Sequence, residues 1–164
     1  VFAPHGSGIA MGMLGGRHLA EEVSKSLNEH GDIGSETTLW NYSRSFHQTW
    51  GGLLGFADAF RRFSQSLTSY DMDALFRSGL MSKHLLRDGL TQLSPTLSVD
   101  ALPSQAKAIV SMPRLGVRLI QTLGRLPLCL AAAKAYSQQR PERADGFFAY
   151  EVSMRSLVDT VSKD

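Results

Sequence analysis

Apolar residues recur along this chain at spacings of three and four, and no segment alternates at two. Three and four are the intervals at which an α-helix returns to the same face. The first run, Ile9, Met13, Gly16, Ala20, Val23 and Leu27, traces one side of a helix that should end near Asn28. A second passes through Leu39, Tyr42, Phe46, Trp50, Leu53, Ala57, Phe60 and Leu67. It predicts a helix of about thirty residues, roughly 45 Å long at 1.5 Å per residue. Gly51, Gly52 and Gly55 interrupt it and predict a kink or break. Trp40, Phe56 and Phe63 fall off that stripe, which implies burial on more than one side.

Punctuation between the runs supports the same reading. Gly31 is a candidate left-handed cap after the first helix, and Ser35 a candidate N-cap with Glu36 in the turn that follows. A short helix is expected over Asp71–Gly79, acidic at its start and closed by glycine, then another near Ser82–Leu93 and a loop from Ser94 to Asp100. Pro103 and Pro113 each suit a helical first turn, the second leading to an apolar side at Leu115, Leu119, Ile120 and Leu123. Gly124 should break that run, with Pro127 opening a helix to about Gln139. After a polar loop at 140–146, an amphipathic helix from Phe147 to about Ser162 closes the chain. The expected fold is all-α, with about six to seven helices and no repeat.

Composition narrows the function without choosing it. Seventeen basic against fifteen acidic residues leave a net charge of +2, too little to argue for nucleic acid. A lone cysteine, Cys129, excludes an internal disulfide, fits a reducing compartment and reads as a buried inert thiol. No signal peptide and no eighteen-residue apolar run is evident, so a cytoplasmic setting is expected. The arginine-edged apolar tract from Leu115 to Ala135 keeps two readings open: core, or a surface that meets a membrane or a lipid-like substrate.

Chemistry concentrates at the beginning. Pro4-His5-Gly6-Ser7-Gly8-Ile9 is a small-residue loop feeding a helix. Free N–H groups at the positive end of a helix dipole receive phosphates, carboxylates or an electron-rich ring. The alternative is an ordinary turn before a surface helix. Gly6-Ser7-Gly8 lacks the third glycine and preceding strand of a dinucleotide fingerprint, and Ser7 lacks the spacing of a nucleophile elbow. His5 reads as a backbone-bonded or ring-stacking histidine before it reads as a general base. His18, His30, His47 and His84 show no metal-ligand spacing, so no metal is expected. Asp71 and Asp73 could pair as catalytic carboxylates, but helix capping is the commoner use of such a place. Arg61-Arg62 could hold phosphate or simply form a solvated basic face.

The run from Pro4 to Glu21 resembles the last motif of FAD-dependent oxidoreductases of the geranylgeranyl-reductase and para-hydroxybenzoate-hydroxylase type. Twelve positions fit its frame: Pro4, Gly6, Gly8, Ile9, Gly12, Met13, Gly15, Gly16, Arg17, Leu19, Ala20 and Glu21. Gly12 stands where alanine is more usual, and Tyr42 with Arg44 extends the likeness weakly. The resemblance implies an α/β fold whose amino-terminal Rossmann portion lies upstream of Val1, a Gly-Asp pair included. Residues 1–30 would close the FAD-binding domain, and 31–164 would form a carboxy-terminal helical region. FAD would then meet Pro4, His5, Gly6, Ser7, Gly8 and Ile9. The helix end would stabilise the negative charge of a reduced isoalloxazine by about 1 kcal/mol, up to about 2. In a two-electron couple that is on the order of 20–40 mV. The implied activity is flavin chemistry on an apolar or aromatic organic substrate, with catalytic residues unassigned and peripheral membrane contact left open. Monooxygenase and halogenase branches share the loop. From another class, a non-enzymatic helical interaction domain stays open. The chain's start inside a motif, without an initiator Met, leads us to expect a fragment that neither binds FAD tightly nor turns over alone.

Overall fold

In a computed structural model, residues 8–29, 32–81, 87, 102–136 and 144–159 are described. No strand occurs among them, and the all-α expectation holds. The helix expected over Ser82–Leu93, apart from Arg87, the loop to Asp100 and the Gly31 cap lie outside the described residues, as does the loop over 140–143.

Helix α1 (Gly8–Glu29) starts where the glycine-rich loop ends. Its buried side differs from the face traced by spacing. Met11, Gly15 and Ser26 are buried, whereas Ile9 is 84% exposed, Met13 73% and Leu27 54%. Neighbouring side chains explain the choice. Gly15 lets α1 approach Tyr42 and Phe46, whose nearest atoms lie 3.4 and 3.7 Å from where its Cβ would be. Met11 and Leu14 pack with Phe46, Trp50, Leu53, Leu54 and Ala57.

A hydroxyl knot ties the end of α1 to the next helix. Ser26 Oγ donates to the Asp32 carbonyl at 2.6 Å, and Thr38 Oγ1 donates to Ser26 Oγ at 2.9 Å. Ser35 caps α2 (Glu36–Phe46) as expected, accepting from the Thr38 N–H at 3.2 Å. The two buried hydroxyls of this knot, Ser26 and Thr38, thus have partners, which offsets the cost of desolvating them.

The long second helix forms, but as α2, a π-helical turn (His47–Gly51) and α3 (Gly52–Gln65) in unbroken succession. The break expected at the glycines is therefore one wide turn, the single-turn form in which a π-helix mostly occurs. Two off-stripe residues are deep, Phe63 fully buried and Phe56 7% exposed, while Trp40 is half-buried and Leu39 on the stripe is 52% exposed.

Four more helices and a short one complete the description. Helix α4 (Ser69–Arg77) carries a capping box between Thr68 and Asp71, and Gly79 follows it at φ +76°. Helices α5 (Leu102–Ser111), α6 (Pro113–Leu123) and α7 (Arg125–Lys134) come next, then α8 (Ala144–Asp159). Three starts differ from expectation: α4 opens at Ser69 rather than at Asp71, α7 at Arg125 rather than at Pro127, and α8 begins three residues before Phe147. Helix α3 is the hub, packing on α6, α7 and α8. Phe63, Leu75, Leu80, Met81, Leu115 and Leu119 make one core cluster from α3, α4, its trailing turn and α6. Ile120, expected on the apolar side of α6, is 51% exposed instead.

Pro113–Lys134 is long and apolar enough, by length and composition alone, to cross a membrane, contrary to the expectation that no such run exists. Leu115, Leu119, Cys129 and Ala133 of the same stretch are buried against the other helices, so part of its hydropathy serves the core.

Candidate functional site

Of the six residues expected to meet a cofactor, Gly8 and Ile9 form the first turn of α1; Pro4, His5, Gly6 and Ser7 lie outside the described residues. Met11, Leu14 and Gly15 anchor this end on the α2–α3 rod. Ile9 and Ala10 point outward, and nothing lies within 4 Å of a Cβ built on Gly12 or Gly16. No acidic residue occupies the first turn, so no carboxylate of the turn neutralises the dipole. Arg17 and Glu21, both within the motif, pair with each other across one turn at 2.9 Å.

A second cluster, not singled out from the sequence, surrounds the π-helical turn. The Tyr136 ring stacks on His47 with centroids 4.7 Å apart and planes 5° from parallel, and on Trp40 at 5.2 Å. Tyr150 sets its edge against both His47 and Tyr136, each at 5.0 Å. His47 Nδ1 donates to the Ser43 carbonyl at 2.7 Å, because a carbonyl can only accept. Ser43 Oγ and Tyr136 Oη share a hydrogen bond of 3.0 Å, and Gln48 Nε2 donates to the Tyr136 carbonyl at 3.1 Å. Burial pushes the Tyr150 hydroxyl up to about 12, with smaller contributions from Cys129 and Tyr136. Such a phenol stays protonated at neutral pH and is no base. The cluster therefore ties α2, the π-helical turn and Tyr136, just beyond α7, together through rings and hydrogen bonds, with α8 joined by the edge of Tyr150. The only advance signs were Ser43 and His47 one turn apart, and a glycine pair beside them.

Other candidates resolve into structure. Asp71 Oδ2 accepts from the Thr68 N–H at 3.0 Å, which leads the causes holding its carboxyl below the usual range, and Asp73 pairs with Arg77. Arg61 and Arg62 both bind Asp58, at 2.6 and 3.0 Å, and Arg62 also reaches Asp159. His18 joins α1 to the rod. Trp50 Nε1 donates to its Nε2 at 3.2 Å, leaving Nδ1 to donate to Ser45 Oγ at 3.0 Å. Cys129 is fully buried and its thiol is pushed up by desolvation, the state of an inert packing residue. His5, like the rest of the loop, lies outside the described residues, as do His30 and His84. No group of three or more His, Cys, Asp or Glu side chains able to hold a metal ion occurs among the described residues.

Searches against family models, characterised proteins and solved structures gave no match to this chain.

Proposed function

We propose that this chain is the carboxy-terminal portion of an FAD-dependent oxidoreductase resembling the geranylgeranyl-reductase group, acting on an apolar or aromatic organic substrate. The observation that carries the reading is the amino end of α1. The helix starts at Gly8 inside the motif, its first turn holds no carboxylate, and its outer side is open at Gly12 and Gly16. Those features fit the edge of a flavin ring. Gly8 and Ile9 would stand against it, and the flavin, when bound, supplies hydride or oxygen chemistry. The chain's own part is to orient the ring, favour negative charge at its edge through the α1 dipole, and exclude water with the helices behind. The exposed apolar residues Ile9, Met13 and Leu27 offer a surface for the rest of an FAD-binding fold.

The same exposed face favours a second reading, a helical interaction domain without flavin. Expression of the longer reading frame and an absorbance scan separates them. The flavoprotein reading expects a bound flavin spectrum from the long frame and little or none from the 164-residue chain. Gly8→Leu should then lower flavin occupancy or shift its potential by on the order of tens of millivolts. A long frame that purifies folded and colourless after reconstitution with FAD removes the flavoprotein reading.

A further inference from the structure

A groove of about 820 Å³ runs between α4 and α6, on helices to which α1 makes no extensive contact. Its size is that of small-molecule sites, which span roughly 300–1,000 Å³. Ala74, Met112, Leu115 and Val117 give it apolar walls, and Arg114 and Arg118 stand on one side of it, one helical turn apart. Arg118 is held in place by Phe63, whose ring centroid lies 5.8 Å from the guanidinium carbon, and by its donation to Ser66 Oγ. Neither arginine forms an ion pair among the described residues. Asp71, the acid in the lining, spends its Oδ2 on the Thr68 N–H and hydroxyl. Two guanidiniums against one engaged carboxylate leave a surplus positive charge beside apolar walls.

We propose that this groove binds a small anionic amphiphile, its phosphate or carboxylate head on Arg114 and Arg118 and its apolar chain along Ala74, Leu115 and Val117. The pairing follows from chemistry. Paired guanidiniums select oxyanions, and the walls give an uncharged tail a place out of water. The inference goes beyond the flavin reading and survives its failure.

Calorimetry on the 164-residue chain tests it, with dodecyl phosphate below its aggregation threshold as the probe. Dodecyl maltoside and inorganic phosphate are the comparisons. The expected result is binding at least about tenfold tighter than either comparison, the tenfold step being about 1.4 kcal/mol. The Arg114→Gln/Arg118→Gln double variant should lose at least about tenfold. Because Arg118 also touches Phe63 and Ser66, Val117→Asp serves as the second variant. Its site is 48% exposed, so it should fold while placing a carboxylate on the wall along which the apolar chain would lie. Lys134→Gln should change the affinity little. Vesicles of phosphatidylglycerol against phosphatidylcholine identify the source: anionic vesicles that bind with the same losses in the variants make it a lipid head group, and monomer binding alone makes it a free amphiphile. Equal affinity for dodecyl maltoside, affinity unchanged in both variants, or vesicle binding without monomer binding would each overturn the proposal.

Discussion

Gly52 should tolerate alanine least of the glycines in the α2–α3 rod, although it does not make the shortest approach. A Cβ at Gly52 would lie 2.8 Å from Leu130 Cα and 3.1 Å from the Cys129 carbonyl oxygen, both backbone atoms of α7. A Cβ at Gly55 would come within 2.3 Å of Met154 Sδ, and one at Gly51 within 2.3 Å of Tyr150 Oη. A thioether can swing aside. A phenol wedged against two rings gives less readily. A helix backbone moves only if α7 moves as a body, and α7 packs on the π-helical turn, α3, α6 and α8.

The magnitudes oppose one another. Replacing glycine by alanine inside a helix gains about 1 kcal/mol from backbone propensity. Forcing a methyl into a filled contact costs about 1–3 kcal/mol, and the upper end suits a backbone clash. Gly52→Ala should therefore lose about 1–2 kcal/mol net, and Gly55→Ala should lie near zero. At Gly12 and Gly16, with nothing within 4 Å, alanine should gain up to about 1 kcal/mol. Urea unfolding followed by circular dichroism reads this as midpoint order at constant slope: Gly12→Ala highest, Gly55→Ala near the parent, Gly52→Ala lowest. A Gly52→Ala chain as stable as the parent would refute the claim that α3 and α7 touch backbone to backbone here.

Two further outcomes follow from burial. Phe63→Ala, at a fully buried ring in the α3–α4–α6 core, should cost about 3–5 kcal/mol, whereas Phe76→Ala, at a half-exposed ring, should cost far less; matching urea midpoints would count against this core. The Tyr150 hydroxyl, raised to about 12 in the folded chain, lies above the value of about 10 for an exposed tyrosine. Its protonated form therefore stabilises the fold fully below about pH 10, and that contribution is lost as pH rises toward about 12. Titration of tyrosinate absorbance should show a late step that is missing in Tyr150→Phe; a late step that persists in that variant would assign it elsewhere.

What the sequence disclosed follows from which interactions are local. Ser35 caps α2, and acid and glycine bracket α4, because capping is settled within four residues. The buried face of α1 does not follow from hydropathy because glycine and alanine fit either side of a helix. Burial went to Gly15, Ser26 and partly to His18, which hydropathy counts as neutral or polar, because Tyr42, Thr38 and Trp50 stand opposite. Glycines 51, 52 and 55 read as breakers, but they are contact surfaces for α7 and α8. Nothing local announces such a role, since the partner lies some eighty to a hundred residues away in sequence. The His47–Tyr136–Tyr150 cluster was hidden for the same reason. Of the expected site, the start of the helix was legible from Gly8 onward, and the Gly6-Ser7 part of the loop lies outside the described residues.

The two readings of α1 differ in a quantity that the isolated chain can report. Helix α1 packs chiefly along α2, and its outer face carries Ile9, Met13 and Leu27 in solvent. Helix α3 is covered by α6, α7 and α8 and holds Phe56, Ala59 and Phe63 in the core. Local opening takes least free energy where few apolar contacts break. Amides in the first three turns of α1 should therefore exchange with solvent at least about tenfold faster than those of α3, a gap of about 1.4 kcal/mol. If the outer face is completed by the rest of an FAD-binding fold, the same amides should slow in the longer reading frame while those of α3 change little. Equal protection of α1 and α3 in the 164-residue chain would mean that the inner face alone suffices, and the argument from an incomplete surface would fall.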